Sequence, residues 1–440
     1  MARKSETKLV KNEEKYNLLL PQYLELLKSL IARFKLVKNA EFSNLVNFKK
    51  NKEEPIHRWF DYKQGYSSLL VKKIIQGESL DKKDYVIDPF CGVGTTNVVA
   101  QHMGFKTIGL DINPVATFIA RVKCSNYSKG DIDEIKKHID QFSPKKSINI
   151  PNSTLLEKSF SKDSFNQLMG IKGFFEGIKN EKVSDFFKLV YLSIVEETSN
   201  RIKDGNGIKI VKNKIIIPNI YDHYIKKADT FLMDINASKE LPQSDIIHGS
   251  LLLQNDFEKI RNKKAGIIIF SPPYANCFDY CEVYKLELWM GDFVKQYNDF
   301  EAYRSIAMRS HVNSKFNHTI KNKNNSVDII ADMISCFNIW NKNIPDMIRG
   351  YFDDMEEMLI KLDNLMVPNS KCFIVVANSG YRGVLVPTDL LISEISKKIG
   401  LNVKEIVYAR KIRASSQQMR ELHEEYEELM RESIIVLEKK

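Results

Sequence analysis

The chain has 440 residues, 43% of them hydrophobic and 28% charged, and Lys+Arg 66 against Asp+Glu 56 gives a formal net charge of +10. The length exceeds one ordinary core, so a main domain with a second unit or large insertions is expected. The positive balance suits a polyanionic partner, although many lysine-rich proteins with such a surplus bind no nucleic acid. The cysteines Cys91, Cys124, Cys277, Cys281, Cys336 and Cys372 form no CxxC pair and have no histidine cluster beside them. That pattern argues against a zinc site or any other metal centre, and against a secreted disulfide framework. The charged N-terminus has no apolar core, and no run of about 18 apolar residues occurs, so a cytoplasmic protein without membrane attachment is expected.

Residues 13–38 read as a helix, with leucines of "YLELLKSLIARF" at i, i+3 and i+4 spacing. A basic linker ending at Pro55 leads to "HRWFDYKQGYSSLLVKKIIQG", aromatic at first and helical from Ser67 to Ile75, with Gly77 just beyond the helix. From Asp84 the pattern becomes β-α-β: "YVID" is a short buried strand, Gly92–Gly94 a tight turn, "TTNVVAQHM" a helix and "KTIGLDI" a second strand. Asn113 then caps a further helix with Pro114 at its first position. Residues 125–245 form a polar, largely helical insertion with a hairpin-like "RIKDGNGIKIVKNK". Strand signals resume at "DIIHGSLL" and "AGIIIFSPPY", and a second polar, basic insertion spans 292–345. The remainder, 346–440, returns to alternating helix and strand and ends on "SIIVLEK". The division expected is therefore 1–55 as a helical extension, 56–124 and 246–291 as the two halves of one α/β domain, 346–440 as its completion, and the two insertions between.

Two loops carry the chemistry. "DPFCGVGTT" closes a buried strand and opens a helix, where backbone N–H groups face an anionic or polar ligand. Asp111 ends the following strand, where a carboxylate can accept hydrogen bonds from both ribose hydroxyls of an adenosine cofactor. The loop lacks the lysine of a P-loop, which excludes that mode of ATP binding. The second loop, "SPPY" (Ser271–Tyr274), ends the "IIIF" strand. Two prolines fix φ and remove two N–H donors, holding the backbone extended with its carbonyls outward. Ser271 Oγ and the Pro272 carbonyl can accept both N–H bonds of an aromatic amine while Tyr274 stacks on its ring. Alone, either loop is also compatible with an ordinary strand-ending turn.

Together, "DPFCGVGTT" and "SPPY" resemble motifs I and IV of the S-adenosylmethionine-dependent DNA amino methyltransferases, the N4-cytosine and N6-adenine enzymes of restriction-modification type. "HRWFDYKQGYSSLLV" resembles the same family's motif X, and the order X, I, IV is unpermuted. The resemblance covers 56–124 and 246–290 well and 350–412 moderately. It implies a Rossmann-like methyltransferase fold, α/β with a mostly parallel doubly wound sheet and helical insertions. It places Asp88, Pro89, Phe90, Cys91, Gly92, Gly94 and Thr95 along S-adenosylmethionine, Asp111 with Ile112 at its sugar, and His57, Trp59, Tyr62 and Ser67 in the methionine pocket. Ser250 of "IIHGSLL" stands where the family often has an acidic residue at the adenine. Ser271, Pro272, Pro273 and Tyr274 become the catalytic residues.

The resemblance further implies direct transfer of a methyl group to the exocyclic amine of a base rotated out of double-stranded DNA. A serine-first tetrapeptide favours N4 of cytosine; N6 of adenine is the alternative, with an RNA or protein amino-group methyltransferase and a non-catalytic DNA-binding module further behind. A cysteine nucleophile is not expected, because no Pro-Cys dipeptide occurs. Phosphate contacts are expected from Ser199–Lys214, Tyr303–Phe316 or Tyr408–Arg420. The implied partners are DNA and a cognate restriction or defence-system protein.

Overall fold

The computed structural model describes residues 10–205, 207–215, 217–235, 240–313, 319–412 and 428–440. Twelve strands are described: β1 (Leu36–Lys38), β2 (Tyr85–Asp88), β3 (Lys106–Asp111), β4 (Arg201–Asp204), β5 (Gly207–Ile210), β6 (Ser244–His248), β7 (Ala265–Phe270), β8 (Met366–Ala377), β9 (Ser379–Tyr381), β10 (Val384–Val386), β11 (Asn402–Lys411) and β12 (Arg431–Glu438). Eight of them form one sheet in the order β1-β11-β12-β8-β7-β2-β3-β6. Every pairing in it is parallel except those of β12, which runs against both β11 and β8. With helices on both faces, this is a Rossmann-like methyltransferase fold.

The apolar runs explain the sheet's centre. Val86 and Ile87 of β2 and Ile267, Ile268, Ile269 and Phe270 of β7 are buried on both faces, as strands flanked by two helical layers require. From β2 the chain builds outward through β3 and β6, then returns to place β7 on the other side of β2. The strand order therefore reverses at β2 and β7, where α/β sheets open a crevice beyond the carboxyl ends of their strands.

The N-terminal helix is shorter than the sequence suggests. It spans Glu13–Arg33, and Phe34 leaves it with φ −121° and ψ 137°. Leu36–Lys38 is a strand, paired in parallel with Ile406–Tyr408 at the sheet's edge. The open edge of β11 supplies hydrogen-bond partners that helical periodicity cannot reveal. The insertion after residue 124 is helical as expected, with helices Lys129–Asp140, Lys162–Glu176, Glu181–Thr198 and Ile220–Met233 and the antiparallel hairpin β4–β5. Its aromatic residues build a core of their own, in which Trp59 stacks on Phe231 at 5.2 Å and meets Phe186 edge-on at 5.9 Å.

The second insertion is bound to the domain by a buried ionic clamp. Arg309 donates to Asp353 at 2.7 Å and to Asp354 at 2.6 and 3.0 Å, and its backbone N–H reaches Asp354 at 2.8 Å. Both aspartates lie on the long helix Ile344–Leu365. Removing only the cation leaves two carboxylates in a dry site, which costs more than a surface pair contributes. Arg309→Met should lower unfolding stability by about 3–5 kcal/mol, read from urea midpoints. A loss under about 1 kcal/mol would show that the clamp behaves as a surface pair.

Candidate active site

β2 and β7 are adjacent and parallel, with Val86 opposite Ile267 and Ile87 opposite Ile268. Their carboxyl ends therefore emerge side by side, one carrying Asp88 and the glycine loop, the other Ser271. Both loops line one cleft of about 950 Å³, counting the space at its mouth. Phe90 of the first loop packs on Phe270 beneath the second, with ring centroids 5.8 Å apart.

The glycine loop needs its glycines. Gly92 has φ +50°, and a Cβ there would come 2.8 Å from Tyr62 Cε1. Gly94 has φ +81°, and its Cβ would meet Ala120 Cβ at 3.0 Å. It caps the helix Thr95–His102, so the helix N-terminus opens onto the turn. Asp111 Oδ2 accepts from the Gly92 N–H at 3.0 Å and Oδ1 from the Asn113 N–H at 2.8 Å. The carboxylate at the end of β3 thus fixes the turn at the end of β2.

Asp88 is buried at 2% exposure. Its Oδ1 accepts from the Phe90 N–H at 3.0 Å, and the Tyr66 hydroxyl lies 2.9 Å from its Oδ2. The same hydroxyl lies 2.5 Å from Thr96 Oγ1 and 3.3 Å from the Ile269 carbonyl of β7. One phenol therefore ties the two strand ends together. Burial pushes the Asp88 carboxyl up to about 7, against hydrogen bonds from Thr96, Phe90 and Tyr66 that favour its charged form. Burial raises Asp111 as well, opposed by the Asn113 and Gly92 N–H groups.

The structure brings most, but not all, of the residues expected at the site to the cleft. Tyr62, Asp88, Phe90, Cys91, Gly92, Thr95, Asp111, Ile112, Ser250, Ser271 and Pro273 all line the cleft. Gly94 lies just behind as the helix cap, between Val93 and Thr95 on the cleft wall. Pro89 and Pro272 continue the two loops without lining the cleft. His57, Trp59 and Ser67 do not reach it. Trp59 turns into the insertion's core and donates from Nε1 to Asp234 at 2.9 Å. His57 is buried beside it, its carbonyl accepting from Lys123 Nζ at 3.2 Å. Ser67 caps the helix Ser68–Gln76, its Oγ accepting from the Leu69 N–H at 3.2 Å. The expectation of cofactor contact for these three is corrected: Asp234, which also binds Ile56 N–H and Arg58, draws the start of the segment away from the cleft.

Tyr274 is half-buried beside Ser271 and is not part of the cleft wall. Its hydroxyl donates to Glu432 at 2.6 Å. The loop after it is held by β9, where Ser379 Oγ and the Tyr381 hydroxyl both donate to the Ala275 carbonyl, at 2.7 and 2.8 Å. Cys277 sits 3.5 Å from the Tyr381 hydroxyl, and burial pushes its thiol up to about 11, so it is no nucleophile. Among the described residues no cluster of His, Cys, Asp and Glu could hold a metal ion.

Other wall residues escaped the sequence reading. Tyr66, Asp279, Tyr280, Arg304, Met308 and His311 line the cleft. Arg304 joins the second insertion to the loop beyond Tyr274, donating to Asp279 at 2.9 Å and Glu282 at 2.8 Å. Tyr66, Asp279 and Tyr280 lay in stretches covered by the resemblance, and Arg304, Met308 and His311 in the stretch expected to contact phosphate, but no pattern singled out these side chains as cleft residues.

A sequence profile of the DNA methylase family matches residues 4–121. The Type II methyltransferase M.BsoBI of Geobacillus stearothermophilus is 27% identical over 92% of this chain and 90% of its own. M.AvaI of a Nostoc strain is 24% identical over 86% of each chain, and M.MvaI of Kocuria varians 21% identical over 84% of this chain and 86% of its own. These matches support placing the chain with the DNA amino methyltransferases of restriction-modification type. The methyltransferase family and fold that it matches are S-adenosylmethionine-dependent, and no helix of the described residues is long and apolar enough to cross a membrane.

The cleft fits a cationic donor. The Gly92 turn, where a Cβ would meet Tyr62, lines it together with the acidic side chains of Asp88 and Asp111. The raised Asp88 carboxyl has a consequence for stability. Its folded value is about 7 against an ordinary 3.8, so between the two the folded chain holds a proton that the unfolded chain has released. Stability is therefore lost as pH rises through that window. Urea unfolding of the wild type and Asp88→Asn at about pH 5 and about pH 8 should show the wild type losing ground against the variant at the higher pH. A difference that does not change with pH would contradict the shift.

Proposed function

We propose that the protein methylates N4 of cytosine in double-stranded DNA, with S-adenosylmethionine as donor. The observation that carries this reading is that the Gly92 turn and Ser271 line the same cleft from adjacent strand ends. In the proposed assignment Asp88, Phe90, Gly92 and Thr95 surround the methionine part of the cofactor. Asp111 spends one lone pair of each oxygen on backbone N–H groups and keeps the others for the ribose hydroxyls. Ile112 stands beside Asp111 at the ribose, and Ser250 faces the adenine. S-adenosylmethionine, when bound, would supply an electrophilic methyl group whose S–C bond breaks as the N–C bond forms, leaving the neutral thioether S-adenosylhomocysteine, and the methylated amine would then release one proton.

The residues of the second strand end act on the amine. The exocyclic nitrogen is a weak nucleophile because its lone pair is conjugated with the ring. Ser271 Oγ and the Pro272 carbonyl accept its two N–H bonds and favour a pyramidal nitrogen with its lone pair free. These bonds strengthen as positive charge develops on the nitrogen, which makes them catalytic and not merely binding. Tyr274 does not line the cleft itself but follows the wall residue Pro273 directly, and in this reading its ring takes the rotated base at that edge. A serine in the first position of the tetrapeptide supports cytosine over adenine.

The hairpin β4–β5 supports a DNA-binding edge beside the cleft. Lys63, next to the wall residues Tyr62 and Gln64, donates to the Lys203 carbonyl at 2.6 Å. Lys203 is buried against Glu287 and lies 4.6 Å from the ring of Tyr284, which stacks on Tyr62. Arg201 donates to Ser159 at 2.6 Å, so the exposed Lys212 and Lys209, the latter 3.6 Å from Asp204, are the phosphate candidates. The cations of Tyr303–Phe316 serve otherwise: Arg304 and Arg309 are consumed by carboxylates, and residues 314–316 lie outside the described residues. Of Tyr408–Arg420, residues 413–420 also lie outside them, and Arg410 pairs with Glu432. Whether a cognate restriction or defence protein accompanies the enzyme belongs to the same proposal and rests on the kinship with Type II methyltransferases.

Ser271→Ala should lower methyl incorporation into duplex DNA by about 100-fold or more, the scale of losing one preorganised transition-state partner, with cofactor affinity unchanged by calorimetry. Mass analysis of nucleosides from the same reactions should show N4-methylcytosine. N6-methyladenine would replace the base assignment, and an undiminished rate in the variant would remove the mechanism. Lys209→Glu with Lys212→Glu should raise KM for DNA and reduce the salt slope by about 2, leaving turnover at saturating DNA unchanged.

A further inference from the structure

The Tyr274 phenol does not end in solvent. It donates to Glu432 Oε1 at 2.6 Å, and Oε2 of the same carboxylate accepts from Arg410 Nε at 2.6 Å. Glu432 lies near the start of β12, paired with Ala377 of β8 on one side and Arg410 of β11 on the other. Successive side chains of a strand point to opposite faces. Arg431 and Ser433 accordingly share a different partner, donating to Asp389 at 2.8 and 2.9 Å. The strand is thus pinned on one face by Asp389, and Glu432 presents its carboxylate on the other. The Glu432 side chain is 5% exposed and the Arg410 side chain 44%.

We propose that Glu432 is a positioning residue for base capture: anchored in β12 and paired with Arg410, it holds the Tyr274 ring where the rotated base stacks. The inference rests on the reading of Tyr274 as the stacking residue. The tetrapeptide's prolines fix the backbone before Tyr274 but leave its side chain free to change rotamer. A short hydrogen bond at the far end of the side chain removes that freedom before the base arrives, so the ordering cost is not charged against binding. Glu432 is about 158 residues from Tyr274 in sequence, and no motif marks it. Only the antiparallel insertion of β12 between β8 and β11 brings it to the tetrapeptide.

The test compares Tyr274→Phe, Glu432→Ala, Glu432→Gln and the double variant Tyr274→Phe/Glu432→Ala in the full chain. Initial rates of methyl transfer to duplex DNA are measured alongside the fluorescence of 2-aminopurine at the target position. Tyr274→Phe keeps the ring and removes the phenol's bond to Glu432 together with its contact to Ser271, whereas Glu432→Ala removes the tether alone. If the tether is what matters, Tyr274→Phe and Glu432→Ala each raise KM for DNA about tenfold, the scale of one hydrogen bond, with kcat within about twofold. The double variant then loses no more than either single one. Glu432→Gln, whose amide oxygen still accepts from the phenol, recovers most of the loss. The 2-aminopurine enhancement falls in parallel. Additive losses in the double variant, or a Tyr274→Phe enzyme with wild-type KM and fluorescence, would overturn the proposal even if Glu432→Ala folds poorly. Nucleoside analysis of the same reactions tests the choice of base separately, because the KM comparison holds whichever amine is methylated.

Discussion

The site depends on the parallel pairing of β2 with β7. Two loops about 180 residues apart in the chain become neighbours because their strands share a ladder and point the same way. The Tyr66 hydroxyl reinforces the juxtaposition, reaching both the Asp88 carboxylate and the Ile269 carbonyl from a segment that precedes both strands. Within the first loop, Asp111 fixes the Gly92 N–H from the end of β3, so three strands contribute to one rigid floor. A donor and an acceptor held on strand ends keep their separation better than groups on free loops, and positioning is what an uncatalysed amine alkylation most lacks.

The second loop is restrained from three directions. β9 holds the Ala275 carbonyl with two hydroxyls, the Cys277 N–H donates to the Ser310 carbonyl at 3.0 Å, and Glu432 holds the Tyr274 phenol. Ser310 itself belongs to the stretch that Arg309 locks to the helix Ile344–Leu365. The second insertion is accordingly a structural wall of the cleft, with Arg304 and His311 on its inner surface. Its Arg304 and Arg309 are turned onto carboxylates, whereas Lys209 of the β4–β5 hairpin is exposed.

Much of this was legible in the sequence because it is local. The β-α-β unit around "DPFCGVGTT", the strand before "SPPY" and the insertion's helices follow from apolar runs, caps and glycines that act within a few residues of themselves. The edge strand β1 was not legible, since three residues become a strand only through an edge that forms about 370 residues later. His57 and Trp59 stood in a promising aromatic stretch, yet Asp234 of the distant insertion decides their direction. Tyr66 could not be told from Tyr62 by pattern, and the partners of Arg304, Arg309 and Glu432 are all long-range. Chemistry carried by a motif is readable; chemistry assembled by packing is not.

A structure of the protein with a non-reactive cofactor analogue and a cytosine-containing duplex measures the central claim most directly. The account predicts the analogue in the cleft at Gly92 and Asp111, with the target base rotated out and its amino nitrogen within about 3–3.5 Å of Ser271 Oγ and of the position of the transferable methyl. A base seated away from Ser271, or an analogue bound outside the cleft between the β2 and β7 ends, would contradict it.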